Sequence, residues 1–267
     1  MANKKKILMV LPHQDDEMFI FHRIRHFVKG GEQVFIVWVT DGAANTPEIR
    51  KVPLIKWCIP ILAKETDETI RRVRKAESLL MMQHLGVPEE RLQFLNFPSG
   101  KIKGCFKEIV DSLTDIFHQI NPQEIYTIAY DHSEFEHDAC NAAVVFAARG
   151  LDATLYEFPV LNAYKGRVRI HFLVPYQGVK IQYTPFTRKE ERERLRLFRR
   201  VFKSQWFVWW LDWNPFMRPW GYRRRGEPYR QIPDYDYLSE IDKAKVVYIP
   251  KSLRFEDFKE VVKDYLN

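Results

Sequence analysis

Four side chains able to ligate a metal or move a proton stand within five residues near the start of the chain: His13, Asp15, Asp16 and Glu17, in the run PHQDDE. Carboxylates crowded in this way repel one another unless a cation lies among them. One imidazole, one carboxylate and a further ligand from a distant loop suit a catalytic zinc site that keeps a position for water. His137, in YDHSEFEHD, is the best distant candidate, because it too falls where an apolar strand gives way to a helix. Each motif also has a plainer reading. Acidic residues are favoured in the first turn of any helix, and Asp138 reads as the cap of the helix that follows it.

The elements that must position these groups alternate. Lys6 to Leu11 is a short apolar run, as in a buried parallel strand, and PHQDDE is the loop at its end. A helix is predicted over Met18 to Lys29, closed by Gly30-Gly31, then a second buried strand over Gln33 to Thr40. Helices over Glu65 to Leu85, Phe106 to Gln119 and Asp138 to Arg149 alternate with strands at Leu92 to Asn96 and Glu124 to Ala129. This order predicts an α/β fold: a Rossmann-like three-layer α/β/α arrangement with a mostly parallel sheet. Both chemical motifs then lie at the carboxyl ends of strands, where such sheets carry their sites. Beyond Gly150 the pattern changes. Thr154 to Pro159 and Arg167 to Val174 read as strands, Arg188 to Lys203 as a charged helix, and Trp206 to Ile232 is aromatic, Pro-rich and basic. We read residues 1–267 as one domain, with a core over about 1–150 and an elaborated C-terminal cap over about 151–267.

PHQDDE resembles the AHPDDE signature of the PIG-L/LmbE-like N-deacetylases, and AYDHSEFEHDACNAAV is similar to that family's second signature, AYEGGHPDHDA. Thr40-Asp41-Gly42, Arg74-x-x-Glu77 with Leu85-Gly86-Val87, and Lys203-Ser204-Gln205 match in order and approximate spacing. The resemblance implies a hydrolase that removes an N-acetyl or other N-acyl group from an amino sugar or sugar conjugate. It implies Zn2+, or another divalent ion such as Fe2+, held by His13, Asp16 and His137, with Asp15 as general base. It also places Arg74 and Asp41 toward substrate, and loosely Glu227. Two positions depart from the family pattern. Glu134 stands where the family has a histidine that stabilises the oxyanion or protonates the leaving amine; His132 and Glu134 itself are the candidates to replace it. Ser99, in FPSGK, stands where the family often has a sugar-contacting aspartate. A non-catalytic glycan- or membrane-surface-binding protein that keeps the metal loop is the alternative.

The remaining signals are compositional. The net charge of +7 is concentrated: residues 164–230 carry 17 Lys+Arg against 5 Asp+Glu. A run of this kind is most often a solvated helix face. Beside the tryptophans at 206, 209, 210, 213 and 220 it also suits peripheral contact with a membrane surface. No zinc finger, phosphate loop or nucleic-acid-binding signature accompanies it, so no specific nucleic-acid partner is expected. Three scattered cysteines, Cys58, Cys105 and Cys140, provide no disulfide framework, and no signal peptide or membrane span is evident, which points to the cytoplasm. His22 and His26 have ligand spacing on a helix but lack the glutamate of HExxH, so an exposed basic face is expected there. Cys140 is read as a small core residue rather than a soft ligand.

Overall fold

A computed structural model describes residues 4–43, 66–219, 221–242, 244, 246 and 253–266. β1 (Lys6–Leu11) is buried along both faces, and its alternating side chains feed two cores. Leu8 and Val10 enter one, while Ile7, Met9 and Leu11 enter the other. That explains why the strand reads as a continuous apolar run. β1 pairs in parallel with β2 (Gln33–Thr40) on one side and β4 (Glu124–Ile128) on the other. β3 (Leu92–Phe97) and β5 (Thr154–Phe158) continue the parallel sheet outward.

Helices cover both faces. α1 (Phe21–Gly30) and α2 (Asp67–Leu85) pack on one core; α3 (Ile102–Ile120) and α4 (Phe135–Ala147) pack on the other. The structure is therefore the three-layer α/β fold that the alternation predicts. α2 opens on Thr66, whose hydroxyl accepts from Thr69 N, and closes on Gly86 at φ 80°.

The C-terminal part extends the same sheet. β6 (Leu161–Tyr164) and β7 (Arg167–Ile170) form a separate hairpin, whereas β8 (Gln182–Thr184) and β9 (Glu227–Gln231) join antiparallel beyond β5. The sheet order is β3-β2-β1-β4-β5-β9-β8. Between β8 and β9 run α5 (Arg188–Val201), α6 (Trp206–Trp213) and α7 (Tyr222–Arg225). α8 (Phe255–Val262) packs against the α3/α4 core.

Several boundaries differ from the sequence reading. The first helix is split into a 3-10 turn over Asp16–Phe19 and α1, because Ile20 leaves helical geometry at φ −124°. The strand expected over Arg167 to Val174 ends at Ile170, where it pairs with Leu161, the first residue of β6, and His171 follows at φ 56°. α4 begins at Phe135, three residues earlier than expected, so Asp138 lies inside the helix and caps nothing. Its carboxylate instead accepts from the backbone N–H groups of Asp131 and His132.

Candidate metal centre

The loop after β1 is built by its own carboxylates. His13 N–H donates to Asp16 Oδ2 at 2.8 Å, and Asp15 N–H donates to Glu17 Oε2 at 2.9 Å. Glu17 is fully buried and tied outward: it accepts from Ser78 Oγ on α2 at 2.5 Å and from Trp38 Nε1 on β2 at 3.1 Å. The last acid of PHQDDE is thus an anchor of the loop. Asp15 holds φ 117°, a left-handed conformation that a non-glycine residue keeps only when its surroundings impose it.

Arg74, on α2, imposes it. Its Nη2 donates to Asp15 Oδ1 at 3.0 Å and to Gln14 O at 2.6 Å, and Nη1 donates to Gly42 O. The Gln205 amide lies 2.9 Å from Nε, with its oxygen facing the arginine. Arg74 is 4% exposed and spends these donors on the loop. Glu77, one turn on, accepts from Ser204 N and Oγ instead. Gly42 is required at this crossing, since a Cβ there would stand 2.5 Å from Gln14 Oε1 and 2.7 Å from Arg74 Nη1, at φ +64°.

α4 brings the second half of the site. One ligand atom each from His13, Asp16 and His137 lie within 4.8 Å of one another, all three residues buried. The His13 and His137 ring centroids are 5.3 Å apart. Asp16 Oδ2 is 3.5 Å from His13 Nδ1, and Asp16 Oδ1 is 3.8 Å from His137 Nε2. Glu134, the residue just before α4, faces the same space, 3.4 Å from His137 Nε2 and 3.8 Å from His13 Nε2. Glu136 was missed in the sequence, yet its Oε2 stands 2.5 Å from His13 Nε2. It also accepts from Ser99 Oγ at 2.9 Å and from Gly100 N–H. The acidic run SEFEHD carried the signal, but a first-turn acid on a helix has too ordinary an explanation to stand out.

The electrostatics follow from burial. Desolvation opposes charge on His13, but Glu134, Asp16 and Glu136 outweigh it and hold the imidazole well above its ordinary pKa. Asp15 is pushed well above the usual carboxylate range by burial, with Arg74 opposing. Asp16 and Glu136 stay below that range: burial works against them, and the imidazoles of His137 and His13, respectively, prevail. Two imidazoles amid buried carboxylates are a donor set for zinc or ferrous iron. Nδ1 of His137 is buried without a hydrogen-bond partner among the described residues. The residues present fit a divalent cation.

Other candidates are engaged elsewhere. His132 is wholly buried; its Nε2 accepts from Ile241 N–H at 2.9 Å and its Nδ1 faces Asp138 at 3.0 Å, so both ring nitrogens are committed away from the cluster. Glu227, expected toward substrate, is buried and accepts from His22 N–H at 3.1 Å and Arg23 N–H at 2.8 Å, capping α1. Asp41 pairs with Arg71 at 2.6 Å and accepts from Ala43 and Ser99 N–H, holding the loop that carries Ser99. His22 is buried against Glu191 at 3.0 Å, not exposed. Cys140 lies in the core, its thiol pushed up to about 12 by burial. Cys58 and Trp220 lie outside the described residues.

The sequence matches the PIG-L family, GlcNAc-PI de-N-acetylase, over residues 8–148, which contain the whole of this cluster. The chain belongs to the PIG-L family. No curated protein matches this PIG-L chain significantly. Among solved structures it resembles a deacetylase triple mutant from the teicoplanin biosynthetic pathway (TM-score 0.62, 17% identity, 87% of this chain and 99% of that one). It also resembles the N,N'-diacetylchitobiose deacetylase of Pyrococcus horikoshii (0.62, 17%, 86% and 85%). A third likeness is to GalB, the 4-carboxy-2-hydroxymuconate hydratase of Pseudomonas putida KT2440 (0.57, 13%, 89% and 99%). At these identities the likeness concerns the fold, and the hydratase shows that the fold serves more than one reaction.

Proposed function

We propose that this PIG-L chain is a zinc-dependent N-deacetylase that hydrolyses the N-acetyl amide of an amino sugar or sugar conjugate. The observation that carries the reading is the convergence of His13, Asp16 and His137, from opposite halves of the family match, with Asp15 held beside them by Arg74. A bound divalent cation would supply Lewis acidity toward the acyl oxygen and lower the pKa of water. In the reaction, water oxygen adds to the acyl carbon, the C–N bond breaks, and acetate and the free amine leave.

Asp15 is the group to take the proton from water, because burial raises its proton affinity above that of an ordinary carboxylate while Arg74 fixes its direction. Glu134, which faces the two imidazoles, would hand a proton to the departing nitrogen. The engagement of both His132 ring nitrogens elsewhere supports Glu134 over His132 for this part. Arg74 positions Asp15, and Ser99 and Asp41 shape the loop against Glu136, at the edge where a sugar would approach. Buried Asp16 and Glu136 and the partly buried Glu134, grouped round two histidines, favour a metal site over a bare helix cap. The free cysteines at 105 and 140 fit the cytoplasmic setting read from the sequence.

The test compares metal content and turnover. Protein reloaded with limiting zinc is expected to hold near one ion per chain and to release acetate from N-acetylglucosamine conjugates. Asp16→Ala should lose the ion. Asp15→Asn should keep the ion and lose turnover by about 10²–10⁴-fold, the usual worth of a positioned base. Zinc retention without acetate release from any N-acetyl sugar would leave the metal site standing and remove the deacetylase reading.

A further inference from the structure

The segment between β8 and β9 leaves the metal centre and ends in an exposed aromatic and cationic surface. Gln205 abuts Arg74, and Ser204 is held by Glu77, so α6 starts at the edge of the site. Its outer face carries Trp210, 38% exposed, and Trp213, 52% exposed, one turn apart. In the turn that follows, Phe216 is 94% exposed. The same turn borders a cavity of about 680 Å³ lined by Pro215, Tyr222, Arg218 and the exposed Arg223, Arg224 and Arg225. Arg218 is already neutralised by Asp212 at 2.9 Å and Glu191 at 2.6 Å. Among the described residues no carboxylate pairs with the other three.

We propose that this surface docks on an anionic lipid bilayer, with Trp210, Trp213 and Phe216 in the headgroup layer and Arg223 to Arg225 on lipid phosphates. Three large rings facing water on consecutive turns are costly without an occupant. Tryptophan favours the membrane–water boundary, where an apolar ring and a polar N–H are both satisfied. Exposed arginines immediately beside the rings, with no carboxylate partner among the described residues, supply the complementary charge, and guanidinium groups take phosphate bidentately. A nucleic acid would instead need a groove that continues the charge past the rings, whereas Phe216 is a projecting tip. The surface stands independently of the deacetylase reading; if both hold, docking brings the metal centre next to the headgroup layer.

Flotation with phosphatidylcholine vesicles, with and without phosphatidylglycerol, tests this on the full chain. The protein should float with the anionic vesicles, and its tryptophan emission should shift to the blue. Arg223→Glu/Arg224→Glu should weaken binding by more than about tenfold, since each basic group near such a surface is worth about fivefold. Phe216→Ser should weaken it comparably while keeping the thermal transition and zinc content unchanged, because that ring is 94% exposed. Retention of binding by the aromatic variant, with loss on raising salt, would overturn the proposal in favour of diffuse charge attraction. Binding of soluble glycerol phosphate without vesicle flotation would reduce the surface to a small-anion pocket. A change from dimer to monomer in Phe216→Ser, with no flotation of the parent, would make it a contact between copies.

Discussion

Glu136 meets His13 Nε2 at 2.5 Å while Ser99 Oγ and Gly100 N–H hold the carboxylate from behind. A carboxylate on one ring nitrogen fixes the tautomer and the ring plane, and raises the basicity of the other nitrogen toward a metal. Glu136→Gln is therefore expected to lower zinc affinity by about 10–100-fold, measured by competition with a chelator, with little change in unfolding. Unaltered affinity would show that His13 is oriented by Asp16 alone. This residue also marks what was legible in the sequence. Crowded like charges at a strand end pointed to a cation, and the family resemblance singled out His13, Asp16 and His137 as its ligands. Glu136 did not declare itself, and Arg74 and His132 were named without their partners, because those roles depend on which atoms face them: Arg74 on two carbonyl oxygens and Asp15, His132 on Ile241 N–H. No spacing rule conveys those partners.

At the scale of elements, the parallel strands were readable because burial on both faces leaves an uninterrupted apolar signature. Helix starts were less so: α4 begins on Glu134 with no side-chain cap, and no Ser, Thr or Asn marks the position. Two elements meet through one group whose behaviour is testable. Glu227, on β9, caps α1 from within the core, and burial raises its pKa to about 8 although the His22 and Arg23 N–H groups oppose this. A folded-state pKa above the unfolded value of about 4.3 means that the native state binds the extra proton. Its contribution is then complete below about pH 4 and lost as pH rises toward 8. Between those limits the stability of the parent should fall with pH through this group, whereas Glu227→Gln, which stays neutral, should show a flatter profile in denaturant titrations. Parallel profiles would mean that Glu227 is ionised in the fold. The loop crossing is a second such joint: Gly42→Ala places a methyl against Gln14 and Arg74 and should displace the Asp15 loop, lowering zinc binding more than it lowers stability.

At the scale of the whole molecule, a buried ion network ties segments beyond residue 150 to the N-terminal half. Arg194, on α5, is fully buried and pairs with Glu191 at 2.9 Å and Asp212 at 2.7 Å. Its Nη1 also donates to Met18 O, in the turn that follows the metal loop, at 2.9 Å. Asp212 in turn takes Arg218 and His171, so strands, cap helices and the N-terminal half share one set of charges. Burial works against every member, and only mutual pairing keeps Asp212 well below and Arg194 well above their ordinary pKa values. Removing one partner from such a set strands the others, which costs about 3–5 kcal/mol. Arg194→Met should therefore destabilise the protein by about that amount. Because β8 and β9 complete the sheet started by β1 to β5, that loss should be felt by the whole chain. Far-UV circular dichroism and the fluorescence of the cap tryptophans are expected to report a single denaturant transition in the parent, and the same single transition moved to lower denaturant in the variant. If the tryptophan signal moved alone, residues beyond about 150 would form a separately unfolding unit, and the network would serve only to seat that unit on the metal loop.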